Sequence, residues 1–456
     1  MRKMLVFTLT TLLILAIALT GCGNQSKSAS SSTATPDSSA AASSTPAQTA
    51  TPAAAKEVDL QLYYPVSVGG PIADKINSYV DEFNKANEGK IKVNAIFAGS
   101  YTDTMTKVKA AIGAHKAPDM AILLQTDIFD LTDLGYVEPL DSYVQQAGAD
   151  YINDFYPALL DGSMMKGHRY SMPFQRSTQV MFYNKKMFSD AHIEHPPTNW
   201  QELIDDGKKL TKMENGKVAT WGFQVPVSGF MSYWNIQPFA LQNGVELANP
   251  EGTKVQLDNP KTIEALQFFY DLANKYKIMP AGEQQWGDIP TNFLAQKAAM
   301  VLHSTGSLTN IMSKASFEFG VAPLPTQTGK KTNLGGGNIY IMKDIPQENK
   351  DAAWKFIQFV TTPEKVADWS MASGYIATRK SAYETPVMKD FVQKHPEYLV
   401  ARDELKDAGP EFATHNDGKV VKDFSDEIMA VVSGQKKADA AMKDAQKKAE
   451  HDLQGF

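Results

Sequence analysis

Two spacings of apolar residues alternate along most of the chain. In residues 58–64 every second position is apolar, which is typical of a strand. The segment that begins at Pro71 has apolar residues every three or four positions up to Gly89, and this spacing predicts an amphipathic helix. Both patterns recur through residues 91–134, where the continuous apolar run 120–124 is expected for a strand covered on both sides. Strands and helices that alternate in this way predict a parallel α/β unit.

A second series of the same kind begins after residue 174. Its predicted strands are 179–183, 298–303, 317–322 and 338–342. The predicted helices of the carboxyl-terminal part are 352–360, 364–372, 424–432 and a stretch from residue 437 onward. The two series are alike in pattern, and no internal sequence repeat relates them. We therefore expect two α/β regions in one chain.

The amino-terminal segment has the pattern of an export signal. Arg2 and Lys3 precede an uncharged, Leu-rich run over residues 4–19, which is short for a bilayer-spanning helix. The run ends in Leu-Thr-Gly-Cys at residues 19–22, which resembles the lipobox of bacterial lipoproteins, whose cysteine is diacylated and becomes the new amino terminus. A signal with an incidental cysteine is the alternative. Cys22 is the one cysteine of the chain and lies at this position, so lipidation is favoured.

The residues after the lipobox predict a flexible linker. Residues 24–55 contain no Leu, Ile, Val, Phe, Tyr or Trp and consist mainly of Ser, Thr, Ala, Pro and Gln. Such a segment cannot bury enough apolar surface to offset its ordering entropy, and its root-mean-square reach is roughly 30 Å. We therefore assign residues 1–21 to a signal peptide and 22–56 to the lipidated cysteine and a disordered linker. The protein is expected outside the cytoplasm, anchored to the cell membrane of a bacterium.

Composition and motifs exclude several classes of protein. The chain has 456 residues, which is enough for two to three domains, and one cysteine rules out a disulfide scaffold. The net charge of −6 argues against a nucleic-acid-binding protein. The eight histidines have no metal-ligand spacing, and no Walker loop, Gly-x-Ser-x-Gly or His-Glu-x-x-His motif is present. We expect no cofactor and no metal, whereas a glycosidase carboxylate pair stays open on sequence alone.

The segments that follow the predicted strands share one chemistry. In open α/β sheets ligands bind beyond the carboxyl ends of the strands. Those segments are 64–70, 98–102, 125–127, 174–178, 304–307 and 335–337. They are rich in hydroxyls, amides, tyrosines and glycines, which suits a polyhydroxylated ligand. For each segment taken alone, an ordinary loop or cap is the alternative.

Phe230 to Trp234 is a candidate aromatic platform. These residues, with Tyr233 between them, lie in a stretch without clear periodicity. An aromatic ring can stack on the apolar face of a sugar or polyol. Local packing of an irregular segment is the alternative interpretation.

Three stretches of the chain resemble one protein family. YSMPFQRSTQVMFYN at residues 170–184, AAMVLHSTGSLTNI at 298–311 and WSMASGYIATRKSAY at 369–383 follow the lipobox and linker in the order found in family-1 extracellular solute-binding proteins of ABC importers. Within that family the chain is most similar to the sn-glycerol-3-phosphate-binding members. The resemblance covers nearly everything from Val58 onward.

The resemblance implies an α/β fold of the two-lobed periplasmic-binding-protein type (type II). Each lobe would be a sheet flanked by helices, with three hinge crossings near Pro173, Thr332 and Thr378. The implied boundaries are 57–173 with 333–378 for lobe 1, and 174–332 with 379–456 for lobe 2.

The resemblance also implies a set of ligand contacts. Five positions carry over directly: Tyr101, Ser177, Ser304, Gly336 and Tyr375. Gln125 stands where the subfamily has a glutamate, and Phe230 and Trp234 join the candidate set as the aromatic platform.

Phosphate recognition is left open by two further differences. The subfamily has a phosphate-contacting arginine near Val421, where this chain offers Lys419 and Lys422 as the nearest cations. Lysine supplies a point charge rather than a bidentate fork. Arg176 is an additional cation beside Ser177, and it could hold a phosphate or pair with a nearby carboxylate.

The sequence as a whole predicts a monomeric, non-enzymatic binding protein. It would capture a sugar, polyol or glycerol phosphate and deliver it to ABC permease subunits, with a lipid anchor as its contact with the membrane. A surface glycoside hydrolase and a ligand-presenting sensor protein are the alternatives.

Overall fold

The computed structural model describes residues 56–329 and 332–456, which belong to one compact unit. The predicted signal peptide, Cys22 and nearly all of the predicted linker lie outside the described residues. Among the helices that the structure does describe, none is both long and apolar enough to cross a membrane.

Strands and helices alternate through the first part of the chain and helices dominate the last, as the apolar patterns predict. Within the described residues the strands are β1 (Val58–Tyr64), β2 (Ile91–Phe97), β3 (Met120–Leu124), β4 (Met164–Met165), β5 (His168–Arg169), β6 (Ser171–Asn184), β7 (Lys212–Glu214), β8 (Lys217–Gln224), β9 (Ala298–Ser304), β10 (Phe319–Ala322), β11 (Thr332–Ile341) and β12 (Ala408–Gly409).

The α-helices of the same residues vary from one turn to four. They are α1 (Ile72–Ala86), α2 (Tyr101–Gly113), α3 (Ile128–Asp133), α4 (Asp141–Ala147), α5 (Ala149–Asn153), α6 (Pro157–Asp161), α7 (Lys185–Asp190), α8 (Trp200–Leu210), α9 (Ser232–Gln242), α10 (Pro260–Asn274), α11 (Asp288–Leu294), α12 (Leu308–Lys314), α13 (Gln347–Val360), α14 (Pro363–Ser373), α15 (Pro386–Lys394), α16 (Val400–Glu404), α17 (Asp417–Val432) and α18 (Ala438–Asp452).

Ten of these strands form one sheet, in the order β2-β1-β3-β11-β6-β9-β8-β7, with β10 beside β6 and β12 beside β11. Strands β1, β2 and β3 are parallel, whereas β11 is antiparallel to both β3 and β6. The first half of β6 pairs with β11, and its second half pairs with β9 and β10. Strand β6 is therefore shared by the two predicted α/β regions.

Two strands extend beyond the segments that the apolar pattern predicts. The predicted strand 179–183 is the second half of β6, which begins at Ser171. The predicted strand 338–342 corresponds to the end of β11, which begins at Thr332 and includes the glycine run 335–337. Both extensions lack a clear apolar alternation, and their pairing with each other holds them extended.

Separate apolar clusters surround the two regions. One cluster packs β1, β2 and β3 against α1, α13 and α14, and it buries Trp354 and Trp369. Another packs α8, α9 and α10 against α17 and α18, and it buries Trp200. These three tryptophans are therefore core residues. Trp286 contacts both clusters.

Candidate functional site

A cavity of about 340 Å³ lies at the carboxyl ends of β1, β2 and β3. Six of the nine candidate ligand-binding residues line it: Tyr101, Ser177, Trp234, Ser304, Gly336 and Tyr375. The rest of its wall is formed by Val66, Ser67, Val68, Ser100, Thr102, Leu124, Met231, Trp286 and Glu411. The wall combines residues from the two predicted lobes.

Tyr101 is the first residue of α2, at the start of which Ser100 and Asp103 form a capping box. The Tyr101 hydroxyl donates to Gln175 Oε1 at 2.8 Å. Burial raises the pKa of Tyr101 well above its usual value, and the neighbouring Tyr375 adds to the shift. Tyr101 is therefore a neutral phenol held in a fixed position at the cavity wall.

Tyr375 is positioned by a row of stacked aromatic rings. Its ring is stacked with Trp369 at 6.0 Å between centroids, and Trp369 is stacked in turn on Phe174 at 4.8 Å. Burial raises the pKa of Tyr375 to about 12, so its hydroxyl is also neutral. The cavity thus has two neutral tyrosine hydroxyls, of which that of Tyr101 donates to Gln175 and can accept from a ligand.

The glycine run of β11 makes room for two aromatic rings. A Cβ atom at Gly335 would lie 2.6 Å from the Trp234 ring, and one at Gly337 would lie 2.8 Å from the Tyr101 ring. Gly336 has φ +90°, and a Cβ there would lie 1.9 Å from the carbonyl oxygen of Gln175. Glycine at these positions lets the rings pack directly on the strand backbone.

Two tryptophans also line the cavity. Trp234, on α9, donates its indole N–H to the carbonyl oxygen of Leu334 at 2.9 Å. Trp286 donates its indole N–H to the carbonyl oxygen of Ser67 at 2.8 Å. The two ring centroids are 5.8 Å apart. These are the aromatic faces on which an apolar sugar face could stack.

The His303 imidazole packs against the Trp286 ring. The two ring centroids are 4.0 Å apart, and His303 Nε2 is 3.1 Å from the carbonyl oxygen of Trp286. Burial lowers the pKa of His303 to about 4, so the imidazole is neutral at physiological pH. Because Nε2 must donate to that carbonyl, Nδ1 accepts from the Ser307 hydroxyl at 2.8 Å.

Two serines add hydroxyl groups to the wall. Ser304 ends β9, and its Oγ accepts from the backbone N–H of Gly306 at 3.1 Å. Ser177 lies on β6 opposite Gly335 of β11. Both serines are almost fully buried.

Three candidate residues do not line this cavity. Arg176 is fully buried, and its Nη1 donates to Asn338 Oδ1 at 3.1 Å. Arg176 and Ser177 are consecutive on a strand, so their side chains leave opposite faces of the sheet. Phe230 packs with the core beside Tyr233, which favours the local-packing interpretation for the first part of the predicted platform.

Gln125, the third of these residues, lies between two cavities. It lines a second cavity of about 400 Å³, and its Nε2 donates to Glu411 Oε2 at 2.8 Å. Glu411 lines both cavities. Gln125 thus acts on the first cavity through Glu411.

The lysines near residue 421 do not reach the cavity. Val421 is fully buried in the core on α17. Lys419 pairs with Asp423 and Asp452, and Lys422 pairs with Asp426. Neither of these lysines, the cations nearest to that position in the sequence, is among the residues that line the cavity.

Sequence reasoning missed Glu411. This residue follows β12, a two-residue strand that pairs with the start of β11. Tyr233 donates its hydroxyl to Glu411 Oε1 at 3.0 Å. Burial raises the pKa of Glu411 to about 7, while Gln125 and Arg176 act in the opposite direction. No local pattern marks this carboxylate, because it lies in an irregular segment between predicted helices.

Burial lowers the pKa of Arg176 to about 10. The nearby Glu411 carboxylate raises this pKa and so acts against the effect of burial. Among the described residues no group of three or more His, Cys, Asp or Glu side chains could hold a metal ion. The chemistry of the cavity is that of hydroxyls, aromatic faces and one carboxylate.

Comparison with known proteins places the chain in a family. Residues 78–399 match the family model described as bacterial extracellular solute-binding protein. The chain is 27% identical over 357 residues to the sn-glycerol-3-phosphate-binding periplasmic protein UgpB of Pectobacterium atrosepticum, which covers 75% of this chain and 79% of that protein. It is 26% identical over 344 residues to UgpB of Escherichia coli K12, covering 72% and 77% of the two chains.

Solved structures share the fold. UgpB of Mycobacterium tuberculosis in complex with glycerophosphocholine has a TM-score of 0.76 at 24% identity, covering 88% of this chain and 98% of that one. Maltose-bound MalE3 of T. maritima has a TM-score of 0.76 at 22% identity, covering 86% and 99%. The predicted type II periplasmic-binding-protein fold is confirmed. The family match extends over more than half of the chain, and this protein belongs to the bacterial extracellular solute-binding proteins.

Proposed function

We propose that this protein is the substrate-binding component of an ABC importer and that it captures a sugar, polyol or glycerol-phosphate-type solute in the cavity of about 340 Å³. The observation that carries the proposal is the composition of the wall, in which hydroxyl groups and aromatic faces converge from distant parts of the chain. The relatives named above support it, since their names describe binding of sn-glycerol 3-phosphate.

The wall suits a solute with many hydroxyl groups. The hydroxyls of Tyr375 and Ser304 can each donate or accept, and the Tyr101 hydroxyl, which donates to Gln175, can accept, so together they match the dual character of a sugar hydroxyl. The rings of Trp234 and Trp286 offer apolar faces beside them. Directional hydrogen bonds would set orientation, and stacking would add contact area.

Binding is expected to favour the closed arrangement of the two lobes. With lobe 1 at 57–173 and 333–378, Tyr101 and Tyr375 belong to one lobe, while Ser304 and Trp234 belong to the other. A ligand that touches both sets can do so only when the lobes are closed, so it shifts the population toward that form. A micromolar dissociation constant corresponds to about −8 kcal/mol, which a few such contacts can supply after desolvation and closure.

We infer binding without covalent chemistry. A glycoside hydrolase needs two carboxyl groups that flank the scissile bond. Among the residues that line this cavity, Glu411 is the one carboxylate. A reducing-end assay with purified protein and oligosaccharides checks this inference, and sustained release of reducing ends would contradict it.

The cavity is tested by a ligand panel measured by thermal shift and then by calorimetry. A ligand at a hundredfold excess over its dissociation constant should stabilise the protein by about 2.7 kcal/mol. Tyr101→Ala and Ser304→Ala should each weaken binding of the best ligand tenfold or more without unfolding the protein. Thr106→Ala, on the exposed face of α2, is the matched control and should leave affinity unchanged. Unchanged affinity in both cavity variants would remove the site.

We further propose that Cys22 is diacylated after cleavage of residues 1–21 and that residues 22–56 tether a monomeric binding protein to the membrane near its permease subunits. Two acyl chains give stable anchoring, whereas one chain is marginal. Cys22→Ser should release the protein from the membrane fraction into the soluble fraction. Mass spectrometry of the mature amino terminus identifies the acyl groups, and an unmodified cysteine in membrane-bound protein would refute the anchor.

A further inference from the structure

We propose that Glu411 sets the charge specificity of the cavity, so that an uncharged, hydroxyl-rich solute binds in preference to a phosphate monoester. This inference rests on the proposed function and names the ligand class within it. It concerns a residue at which the family resemblance implies no contact.

The first argument is the position of the carboxylate. Glu411 lines the cavity and is 8% exposed. Gln125 Nε2 donates to one of its oxygens at 2.8 Å, and the Tyr233 hydroxyl donates to the other at 3.0 Å. These two bonds, from α9 and from the loop after β3, hold the carboxylate in place. It is therefore a fixed hydrogen-bond acceptor in the wall.

The second argument is the charge around the carboxylate. No lysine, arginine or histidine is among the residues that line the cavity. The cation whose charge acts on Glu411 is Arg176, which is fully buried, does not line the cavity and donates to Asn338. The ionised Glu411 carboxylate opposes the charge of Arg176, so Arg176 does not act on the wall as an uncompensated cation.

The other titratable groups near Glu411 are carboxyl groups and phenols, which supply no positive charge. Asp127, after β3, and Asp417, at the start of α17, both experience the charge of Glu411, and burial raises the pKa of each. Lys109 pairs with Asp130, which lies on the neighbouring helix α3. Tyr101 and Tyr233, from α2 and α9, are neutral phenols because burial raises their pKa values. Arg176 Nε and Nη2 have no hydrogen-bond partner among the described residues, but Arg176 is not among the residues that line the cavity, so the described wall itself offers a phosphate no cation.

The third argument is hydrogen-bond chemistry. A ligand hydroxyl can donate to a carboxylate, and such charge-assisted bonds are stronger than neutral ones. A phosphate monoester carries about −1.5 to −2 charges at pH 7, and its oxygens act mainly as acceptors. Placed against Glu411 it would pair acceptor with acceptor and like charge with like charge. Phosphate binding at this wall is therefore penalised twice.

The test compares two kinds of probe on the full mature protein by isothermal titration calorimetry. The neutral probes are maltose and ribitol, and the charged probe is sn-glycerol 3-phosphate. Glu411→Gln keeps the shape of the side chain and removes its charge, which leaves Arg176 uncompensated. Glu214→Gln makes the same charge change at an exposed position of β7 and is the matched control.

Glu411→Gln should tighten binding of sn-glycerol 3-phosphate at least tenfold relative to wild type, and it should leave or weaken the binding of the neutral probes. Glu214→Gln should change neither. Gln125→Lys, which places a cation beside Glu411, should also tighten sn-glycerol 3-phosphate binding. This variant replaces Glu411→Gln in the test if Glu411→Gln does not fold. Equal affinities of wild type and these variants for sn-glycerol 3-phosphate, including no binding by any of them, would overturn the inference.

The same data judge the proposed function separately. Binding of a neutral probe to wild type supports a solute-binding cavity whatever the phosphate result. If wild type binds none of the probes and Glu411→Gln binds sn-glycerol 3-phosphate, the result would contradict the proposed ligand classes. The same result would support the role of Glu411.

Discussion

The hydrogen bond between Trp286 and Ser67 offers a direct test of lobe closure. Trp286 Nε1 donates to the carbonyl oxygen of Ser67 at 2.8 Å. Ser67 lies in the loop after β1, within the predicted lobe 1, and Trp286 lies within the predicted lobe 2. Both residues line the cavity, so this bond would join the lobes beside the ligand. Trp286→Phe removes the donor and retains an aromatic ring.

The contribution of this hydrogen bond to the closed form depends on what its donor and acceptor contact in the open form. When the lobes separate, the indole N–H and the carbonyl oxygen both regain water, so the net contribution of the bond to closure is about 0.5–1.5 kcal/mol. That range corresponds to a roughly two- to thirteenfold change in the ratio of closed to open protein. If the ligand binds the closed form alone and that form is a minority without ligand, the apparent affinity falls by the same factor.

Calorimetry with the best ligand of the panel measures this change, and small-angle scattering with and without ligand reports the closure itself. Trp221→Phe is the matched control, because Trp221 lies on β8 and does not line the cavity. The expected result is weaker binding and a larger radius of gyration at equal ligand concentration for Trp286→Phe. Unchanged affinity, or an equal loss in the control variant, would refute the reasoning.

Two further predictions concern stability. Gly336→Ala should lower the free energy of unfolding by about 2 kcal/mol or more, since φ is +90° and the added Cβ would lie 1.9 Å from a backbone oxygen. Gly89→Ala also has positive φ, +71°, but meets no atom within 4 Å, so an equal loss in urea unfolding would show that the close contact is irrelevant. Burial raises the pKa of Glu411 from 4.5 to about 7. The folded state therefore binds more protons than the unfolded state between these values, and stability falls as pH rises through this window. Glu411→Gln has no titratable group at this position. Between pH 4 and pH 8 its free energy of unfolding should therefore fall by on the order of 3 kcal/mol less than that of wild type. The same pH dependence in wild type and variant would contradict the assignment.

Periodicity along the chain was sufficient for most elements. The alternation at 58–64 and the apolar run at 120–124 coincide with β1 and β3, and the helical spacing after Pro71 coincides with α1. These segments bury one face or both faces against a core, so burial imposes the apolar repeat directly on the sequence. The glycine run of β11 and the polar first half of β6 carry no such repeat, and their extent as strands depends on their partner.

The candidate site was predictable in part. Six of the nine candidate residues line one cavity: Tyr101 and Ser304 follow or end a strand, Ser177 and Gly336 lie within β6 and β11, and Trp234 and Tyr375 lie on or after a helix. Phe230 packs in the core, and Arg176 leaves the sheet on the face opposite to Ser177. Adjacency in sequence therefore did not imply adjacency in the cavity, since the pleat of a strand separates neighbouring side chains.

The sequence by itself determined the α/β class, because that class depends on apolar spacing within short segments. The export signal and the linker stay predictions from composition. The tertiary structure alone decided that Glu411 enters the wall and that Trp286 reaches Ser67. Trp286 is 219 positions from Ser67 in the chain, and Glu411 is 286 positions from Gln125. No local pattern can encode such contacts, because they arise when β12 pairs with β11 and the folded elements meet around a shared space.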